Sequence, residues 1–199
     1  MKVTSIVLAG GKNLRFGRVK ATEMVGGRTL LERVIERLQP LSRQILIVTS
    51  REQLSLFSGY APEVVADVYP EKGPLGGIYT GLIKAQSAHG IVVACDMPFL
   101  STDLLRYLAE QANDFDAVVP RLGKNKVESL HAVYSKRCLS TIKARLERNE
   151  LGVNSFLATL RVRYVDKAEC QRLDPQLLSF FNINYQADLE RAIALAAKA

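Results

Sequence analysis

Two adjacent glycines followed by a cluster of cations stand near the start of the chain, in the stretch LAGGKNLRFGRVK at residues 8–20. The cations are Lys12, Arg15, Arg18 and Lys20. Because glycine has no side chain, backbone N–H groups in such a loop can come close to a ligand. Clustered cations beside the loop suit a polyanion. The stretch therefore predicts a site for a nucleoside triphosphate.

Two carboxylates stand at the ends of apolar runs further along the chain. Asp67 closes EVVAD at 63–67, and Asp96 closes GIVVACD at 90–96. Aspartates in such positions often simply begin a turn, and this interpretation stays open for Asp67. Asp96 follows the most continuously apolar run and precedes Pro98, which stiffens the next turn. We expect Asp96 to bind Mg²⁺, a hard cation that prefers carboxylate and phosphate oxygens.

The elements that must position these residues alternate between apolar runs and amphipathic patterns. We expect strands at 3–9, 44–50, 63–67, 90–96 and 116–120, and helices at 29–39, 75–88 and 101–112, the last with Ser101 or Thr102 as its N-cap. This β–α alternation predicts an α/β fold, with a mostly parallel twisted sheet and helices on both faces. Ligands bind outside the carboxyl ends of the strands in such sheets. The glycine loop, Asp67 and Asp96 all fall there.

The pattern is less regular after Pro120. The segment SLHAVYS at 129–135 alternates like a strand with one exposed face. Further elements are expected as helices at 136–149, within VNSFLATL and at 186–199, and as a strand at 161–166. No long linker divides the chain. We therefore expect a single domain over 1–199, in which residues 1–120 carry the predicted nucleotide site and residues 121–199 form a second half.

Composition argues against several other classes of protein. No apolar run is long enough to cross a membrane, and the short run before the glycines is not typical of a signal peptide. The net charge of +7 is carried mostly on helical faces, and no nucleic-acid-binding motif is present, so we expect neither nucleic acid nor membrane as a partner. The three cysteines are widely spaced, which predicts reduced thiols in a cytoplasmic protein. Cys95, His89 and His131 are expected to be structural or solvated rather than catalytic.

The glycine loop matches neither a Walker P-loop, which ends in Gly-Lys-Ser/Thr, nor the dinucleotide fingerprint G-x-G-x-x-G. It resembles L-A-G-G-x-S-x-R-M-G-x-D-K, the signature of the molybdenum cofactor guanylyltransferase family of nucleotidyltransferases. The matching residues are Leu8, Ala9, Gly10, Gly11, Arg15, Gly17 and Lys20. The departures are Asn13, Phe16 and Val19, which stand where the family usually has Ser, Met and Asp.

Further segments resemble this family in the same order and over essentially the whole chain. GPLGG at 73–77 is similar to G-P-L-A-G, and CDMPF at 95–99 is similar to C-D-x-P. FFNINYQADL at 180–189 is similar to F-x-N-x-N-T-x-x-D/E-L. ESLHAVY at 128–134 is a weaker echo of Q/E-P-L-x-A-L-Y, with Ser129 in place of Pro.

The resemblance implies Mg²⁺-dependent transfer of GMP from GTP to the phosphate of molybdopterin or Mo-molybdopterin, with release of pyrophosphate. It implies nucleotide binding by Leu8, Ala9, Gly10, Gly11, Lys20, Asp67 and Asp96, catalytic roles for Arg15, Lys20 and Asp96, and Mg²⁺ on Asp96. The acceptor is expected over residues 121–185, where its phosphate would meet Arg121, Lys124 and Lys126. A molybdoenzyme or a cofactor-insertion protein is a further expected partner.

Three alternatives stay open on the sequence. The donor base could be cytosine, or the acceptor could be a sugar, polyol or cobinamide phosphate. The third alternative is a non-catalytic nucleotide or cofactor carrier, which is motivated by Val19 at the position of a family carboxylate. For an active enzyme, we expect Val19 to pack against the sheet edge and Glu23 to offer Lys20 a substitute partner.

Overall fold

The structure is a computed structural model, and it describes residues 2–10 and 19–197. Within these residues the strands are β1 (Thr4–Leu8), β2 (Met24–Val25), β3 (Arg28–Thr29), β4 (Gln44–Thr49), β5 (Glu63–Ala66), β6 (His89–Ala94), β7 (Ala117–Gly123), β8 (Lys126–Val127), β9 (His131–Ser135) and β10 (Val162–Asp166). The α-helices are α1 (Leu30–Leu38), α2 (Gly73–Lys84), α3 (Thr102–Glu110), α4 (Leu139–Glu147), α5 (Val153–Leu157), α6 (Lys167–Leu173) and α7 (Gln186–Ala196).

One twisted sheet organises the chain, with the strand order β10-β7-β9-β6-β1-β4-β5 and with β8 paired to β7. The strands around β1 are parallel: β1 pairs with β4 and β6, and β4 pairs with β5. β9 runs antiparallel between β6 and β7. The expected α/β fold with a mostly parallel sheet is confirmed.

The expectation that SLHAVYS forms a strand with an exposed face is wrong. All five residues of β9 are buried. β9 lies inside the sheet rather than at its edge, so both of its faces are covered. Val133 packs into the core on one side of the sheet, and Tyr134 packs into the core on the other. The polar residues of β9, His131 and Ser135, are buried, so the alternation does not report exposure.

Helices cover both faces of the sheet, as expected. Side chains from α1, α3 and α6 fill one core, and side chains from α2, α4 and α5 fill the other. Successive residues of β1 feed the two cores in turn, with Ile6 in one and Val7 in the other. Within the described residues, no helix is both long and apolar enough to cross a membrane.

Two glycines set α2 directly against β1. A Cβ on Gly81 would lie 2.4 Å from Cγ2 of Ile6, and a Cβ on Gly77 would lie 3.0 Å from Cδ2 of Leu8. Any larger residue would push the helix away from the strand. The missing side chains therefore hold α2 close to the carboxyl end of β1, where the predicted nucleotide site begins.

A short hairpin of β2 and β3 precedes α1, and the apolar pattern of the sequence does not predict it. Its turn is Gly26-Gly27, with φ of 59° and 78°. Positive φ at both central residues is what a tight hairpin of this type requires, and glycine adopts it without strain. The hairpin leads straight into Thr29, whose side chain caps α1 together with Glu32.

Candidate active site

Lys20 and Asp96 meet at the carboxyl end of β6. Lys20 lies in a 3₁₀ turn at Lys20–Thr22, and its Nζ is 2.9 Å from Oδ2 of Asp96 and 3.1 Å from Oδ1 of Asn184. The side chains of Lys20 and Asp96 are only 8% and 19% exposed. A lysine held this tightly between two oxygens is a fixed charge, not a solvated surface group.

The Lys20 side chain takes its partners from distant parts of the chain rather than from its neighbours in sequence. Val19 is half-buried and packs against the core that includes side chains of α1 and α3. Glu23 is not the partner of Lys20, contrary to expectation. The partners are Asp96 and Asn184, which are 76 and 164 residues away in sequence and become neighbours only through the fold.

The segment 182–184 is fastened to the site by hydrogen bonds. The backbone N–H of Ile183 donates to the carbonyl of Asp96 at 3.1 Å. The carboxylate of Asp188 accepts the backbone N–H groups of Asn184 and Tyr185 at 2.8 and 2.9 Å. These bonds lower the pKa of Asp188. The Asn184 side chain is thereby presented to Lys20 instead of capping α7.

A cleft of about 200 Å³ opens beside Asp96, and residues from three parts of the chain, within 94–97, 127–130 and 182–184, line it. Its lining includes Glu128, Asn182 and Asn184. Oδ1 of Asn182 is buried and takes no hydrogen bond from the described residues. Burial raises the pKa of Glu128, although Lys126 lies 3.7 Å away and opposes the shift. The cleft therefore presents two hydrogen-bond acceptors, Oδ1 of Asn182 and the carboxyl of Glu128. Both fall in motifs that resemble the family, but the sequence does not show that they face one cleft.

Asp67 lies on the other side of β1, after the edge strand β5. Its backbone N–H donates to the carbonyl of Thr49 at 2.8 Å. Its Oδ1 accepts from the Tyr69 N–H at 3.0 Å and from the Thr80 hydroxyl at 2.7 Å. Thr80 sits in α2 and is fully buried. Asp67 is thus fixed by neutral donors, with no cation against it in the described part of the chain.

The end of β1 lies between these two carboxylates. The carbonyl of Leu8 accepts from the Cys95 N–H at 3.1 Å, and the Ala9 N–H donates to the carbonyl of Val48 at 2.9 Å. Gly10 is exposed and lies beside the backbone of Thr49, which a Cβ on Gly10 would approach to 3.6 Å. The predicted site residues Gly11 and Arg15 lie outside the described residues.

Strand order sets the spacing between the two carboxylates. Asp67 follows β5 and Asp96 ends the run that begins with β6, and β4 and β1 lie between those strands. Three inter-strand steps of about 4.8 Å separate them by about 14 Å along the sheet. This span suits an extended nucleotide with its base near one carboxylate and its phosphates near the other.

Cys95 and His131 lie close to the site but do not have the chemistry of catalytic groups. Burial, reinforced by the Asp96 charge, raises the pKa of the Cys95 thiol to about 12. Burial lowers the pKa of His131 to about 3, and its ring packs 4.9 Å from the ring of Phe180. The thiol stays protonated and the imidazole stays neutral at physiological pH, consistent with structural roles for both.

This open α/β sheet, with a lysine and a carboxylate joined at the ends of its strands, has the architecture of a nucleotidyltransferase. Residues 5–166 match the family model described as a MobA-like NTP transferase domain. The chain belongs to this family and is a nucleotidyltransferase with a role in molybdenum cofactor biosynthesis.

Relatives match along nearly the full length of the chain. A probable molybdenum cofactor guanylyltransferase of Pelotomaculum thermopropionicum is 36% identical, with 98% of this chain and 94% of that protein covered. A molybdenum cofactor guanylyltransferase of Desulfosudis oleivorans is also 36% identical, with 96% and 95% covered. The crystal structure of molybdopterin-guanine dinucleotide biosynthesis protein A from Archaeoglobus fulgidus superposes with a TM-score of 0.86 at 30% identity, with 99% and 100% covered.

Proposed function

We propose that this enzyme transfers GMP from GTP to the terminal phosphate of molybdopterin and releases pyrophosphate. The observation that carries the proposal is the Lys20–Asp96 pair, which stands between a span suited to a nucleotide and a cleft suited to an acceptor. The names of the relatives supply the identity of the donor and the acceptor. Residues 1–120 would bind the nucleotide, and residues 121–199 would bind the acceptor.

Mg²⁺ fits the donor set at the end of β6. Asp96 offers a carboxylate and Asn184 an amide oxygen, both hard ligands. The described residues contain no group of three or more His, Cys, Asp or Glu that could cage an ion. Mg²⁺ is usually bound by one or two carboxylates together with substrate phosphates, so a single Asp96 suffices. The ion would supply positive charge to the phosphates that it shares with Asp96.

This reaction requires the protein to position the substrates and to neutralise charge, and it needs no covalent intermediate with the protein. An oxygen of the molybdopterin phosphate attacks the α-phosphorus of GTP and forms a new P–O bond. The bond from the α-phosphorus to the bridging oxygen breaks, and pyrophosphate leaves with that electron pair. Lys20 and Arg15 would neutralise the charge that builds on the leaving group, and Gly10 and Gly11 would donate backbone N–H groups to the triphosphate.

The cleft beside Asp96 suits the acceptor by the same reasoning. A pterin carries an amino group and a ring N–H next to each other, and carboxylate or amide oxygens accept from such donors. Glu128 and Asn182 present those oxygens. Of the cations predicted for the acceptor phosphate, Lys126 lies near Glu128, and Arg121 stacks 4.7 Å from the ring of Tyr164. We keep Arg121, Lys124 and Lys126 as candidate phosphate contacts.

The decisive experiment is an assay of pyrophosphate release with each of the four common nucleoside triphosphates, Mg²⁺ and molybdopterin. We expect release with GTP, dependent on both Mg²⁺ and molybdopterin, and a product whose mass equals molybdopterin plus GMP. Release with CTP instead would assign a cytidylyltransferase. Nucleotide binding without release from any triphosphate would support the carrier alternative.

A further inference from the structure

We propose that Thr80 is a positioning residue that fixes the Asp67 carboxylate for recognition of the donor base, an inference that rests on the proposed function. The observation is one buried hydroxyl that joins α2 to the end of β5. Thr80 Oγ1 donates to Oδ1 of Asp67 at 2.7 Å and accepts from the Val68 N–H at 3.0 Å. Thr80 is fully buried, so this hydroxyl belongs to the architecture of the site and not to its solvated surface.

The two carboxylate oxygens of Asp67 differ in their hydrogen-bond partners. Oδ1 already receives two donors, from Thr80 and from the Tyr69 N–H. No described residue donates a hydrogen bond to Oδ2. A carboxylate with one saturated and one open oxygen accepts best from an N–H group of a ligand. Because two donors hold Oδ1, the direction of the open oxygen is set before the ligand arrives.

A base with N–H groups on its pairing edge is the ligand that this arrangement favours. Guanine has a ring N–H and an exocyclic amino group there, and inosine's base keeps the ring N–H but lacks the amino group. An Asp67 carboxylate held in the right direction distinguishes guanine from inosine's base. The base that lacks the amino group leaves part of the carboxylate's hydrogen-bonding capacity unpaired. Thr80 would therefore affect selection between GTP and ITP, although it touches neither.

The test compares a hydroxyl removal with a hydroxyl retention at the same position. KM and kcat are measured for GTP and ITP with the wild-type enzyme, Thr80→Val and Thr80→Ser. We expect Thr80→Val to raise the KM for GTP about tenfold, the scale of losing one hydrogen bond to a charged group, with kcat largely kept. Preference for GTP over ITP should shrink by a similar factor. Thr80→Ser should restore both within about twofold, since it keeps the donor.

Thr4 provides a matched control at the amino end of the sheet. It is also fully buried, donates to Oε1 of Gln44 at 3.0 Å and accepts from the Ser87 N–H at 3.3 Å. Thr4→Val should lower the melting temperature but leave the GTP-to-ITP preference unchanged. If Thr80→Val behaves like Thr4→Val, Thr80 is structural only and the inference is wrong.

Further variants separate a failure of this inference from a failure of the proposed function. Should Thr80→Val fail to fold, Thr80→Ala against Thr80→Ser gives the same contrast, and Asp67→Asn should reproduce the loss of preference for GTP. An Asp67→Asn enzyme with wild-type preference would overturn the inference even if Thr80 variants are impaired. A wild-type enzyme that releases no pyrophosphate from GTP with molybdopterin would instead refute the proposed function.

Discussion

The two carboxylates at the carboxyl edge of the sheet are held in opposite ways. Asp67 is fixed by a backbone N–H and a buried hydroxyl, both neutral. Asp96 is held by the charge of Lys20, whose Nζ also donates a hydrogen bond to Oδ1 of Asn184. Each carboxylate follows a strand of the same sheet. The difference therefore lies in the partners that the rest of the chain provides for each carboxylate.

The difference suggests a division of labour. Neutral donors fix the direction of a carboxylate but leave its negative charge free to accept, which suits recognition of an uncharged base. A cation neutralises a carboxylate and brings positive charge to a place where phosphates and a metal ion gather. We therefore expect changes on the Asp67 side to alter nucleotide affinity and selectivity, and changes on the Asp96 side to alter the rate of transfer.

The largest effect is expected from Asp96→Ala. Loss of the proposed metal ligand should reduce kcat by about 10²-fold or more, the scale of removing a principal charge-stabilising element. Initial rates at saturating GTP and molybdopterin measure the loss, and a thermal melt verifies folding. Glu147→Ala, which removes an exposed carboxylate on α4, is the control and should be fully active. Near-normal turnover by folded Asp96→Ala would remove this residue from the mechanism.

Lys20→Ala should have the next largest effect, a reduction of kcat by about tenfold or more, because one charge-assisted contact to the leaving pyrophosphate is lost. Its cost in stability should be about 1–3 kcal/mol, because the pair is mostly buried and Asp96 loses its cation with little access to water. Rates and melting temperatures are measured together. An enzyme that is destabilised but turns over normally would show that the Lys20–Asp96 pair is structural.

Glu128→Gln should act on the acceptor and on pH dependence. We expect the KM for molybdopterin to rise by about fivefold, consistent with the weakening of one charge-assisted hydrogen bond. The wild-type KM should rise as pH falls toward the raised pKa of Glu128, because only the carboxylate accepts a second donor. The variant should lack this limb of the pH profile. Glu110→Gln, on α3, serves as the control.

Glu128→Gln should also leave the stability of the folded protein unchanged or raise it at pH 7.5. A carboxyl with a raised pKa binds its proton more tightly in the folded protein than in the unfolded chain. Its contribution to the free energy of unfolding is therefore largest at low pH and is lost as pH rises through the raised pKa. Glutamine mimics the protonated form, so Glu128→Gln should melt at or above the wild-type temperature at pH 7.5. A lower melting temperature would indicate that Glu128 is a structural residue.

Val19→Asp should have the smallest effect on rate. Lys20 already has Asp96 and Asn184 as partners, so an added carboxylate should change activity by no more than an exposed ion pair would, about 0.2–1 kcal/mol in the barrier. The cost of replacing a half-buried valine should appear as a lower melting temperature. Transfer that occurs only in Val19→Asp, with a parent that binds GTP without reacting, would favour the carrier alternative.

Local patterns predicted much of the fold. The helix at 29–39 is observed as Leu30–Leu38, and the expected cap of α3 is Ser101. The periodicity of these helices reports directly which face is buried. The burial of β9 is not predictable in this way, because alternation of polar and apolar residues does not reveal that His131 and Ser135 are buried inside the sheet. The hairpin at Met24–Thr29 gives only a weak pattern because each strand has two residues, although its Gly-Gly turn is a usable signal.

The candidate site was predictable only where its residues fall in motifs. The sequence marks Asp96 and Lys20 as site residues, but their contact joins positions 76 residues apart and depends on the tertiary fold. Thr80 has nothing in its sequence neighbours to mark it, because it is one hydroxyl within a helix. Asn182 falls in the motif FFNINYQADL, but the sequence does not show that its Oδ1 is buried without a hydrogen-bond partner in the described part of the chain. Positioning residues of this kind are defined by tertiary contacts.

The division of labour is tested most directly by measuring GTP binding and pyrophosphate release side by side for Asp67→Ala and Asp96→Ala. Binding is measured calorimetrically without metal, and release is measured with Mg²⁺ and molybdopterin at saturating GTP. We expect Asp67→Ala to bind GTP more weakly but to release pyrophosphate at a rate close to wild type. We expect Asp96→Ala to bind GTP nearly normally but to release almost no pyrophosphate. The reverse result, or equal loss of both properties in both variants, would contradict the account.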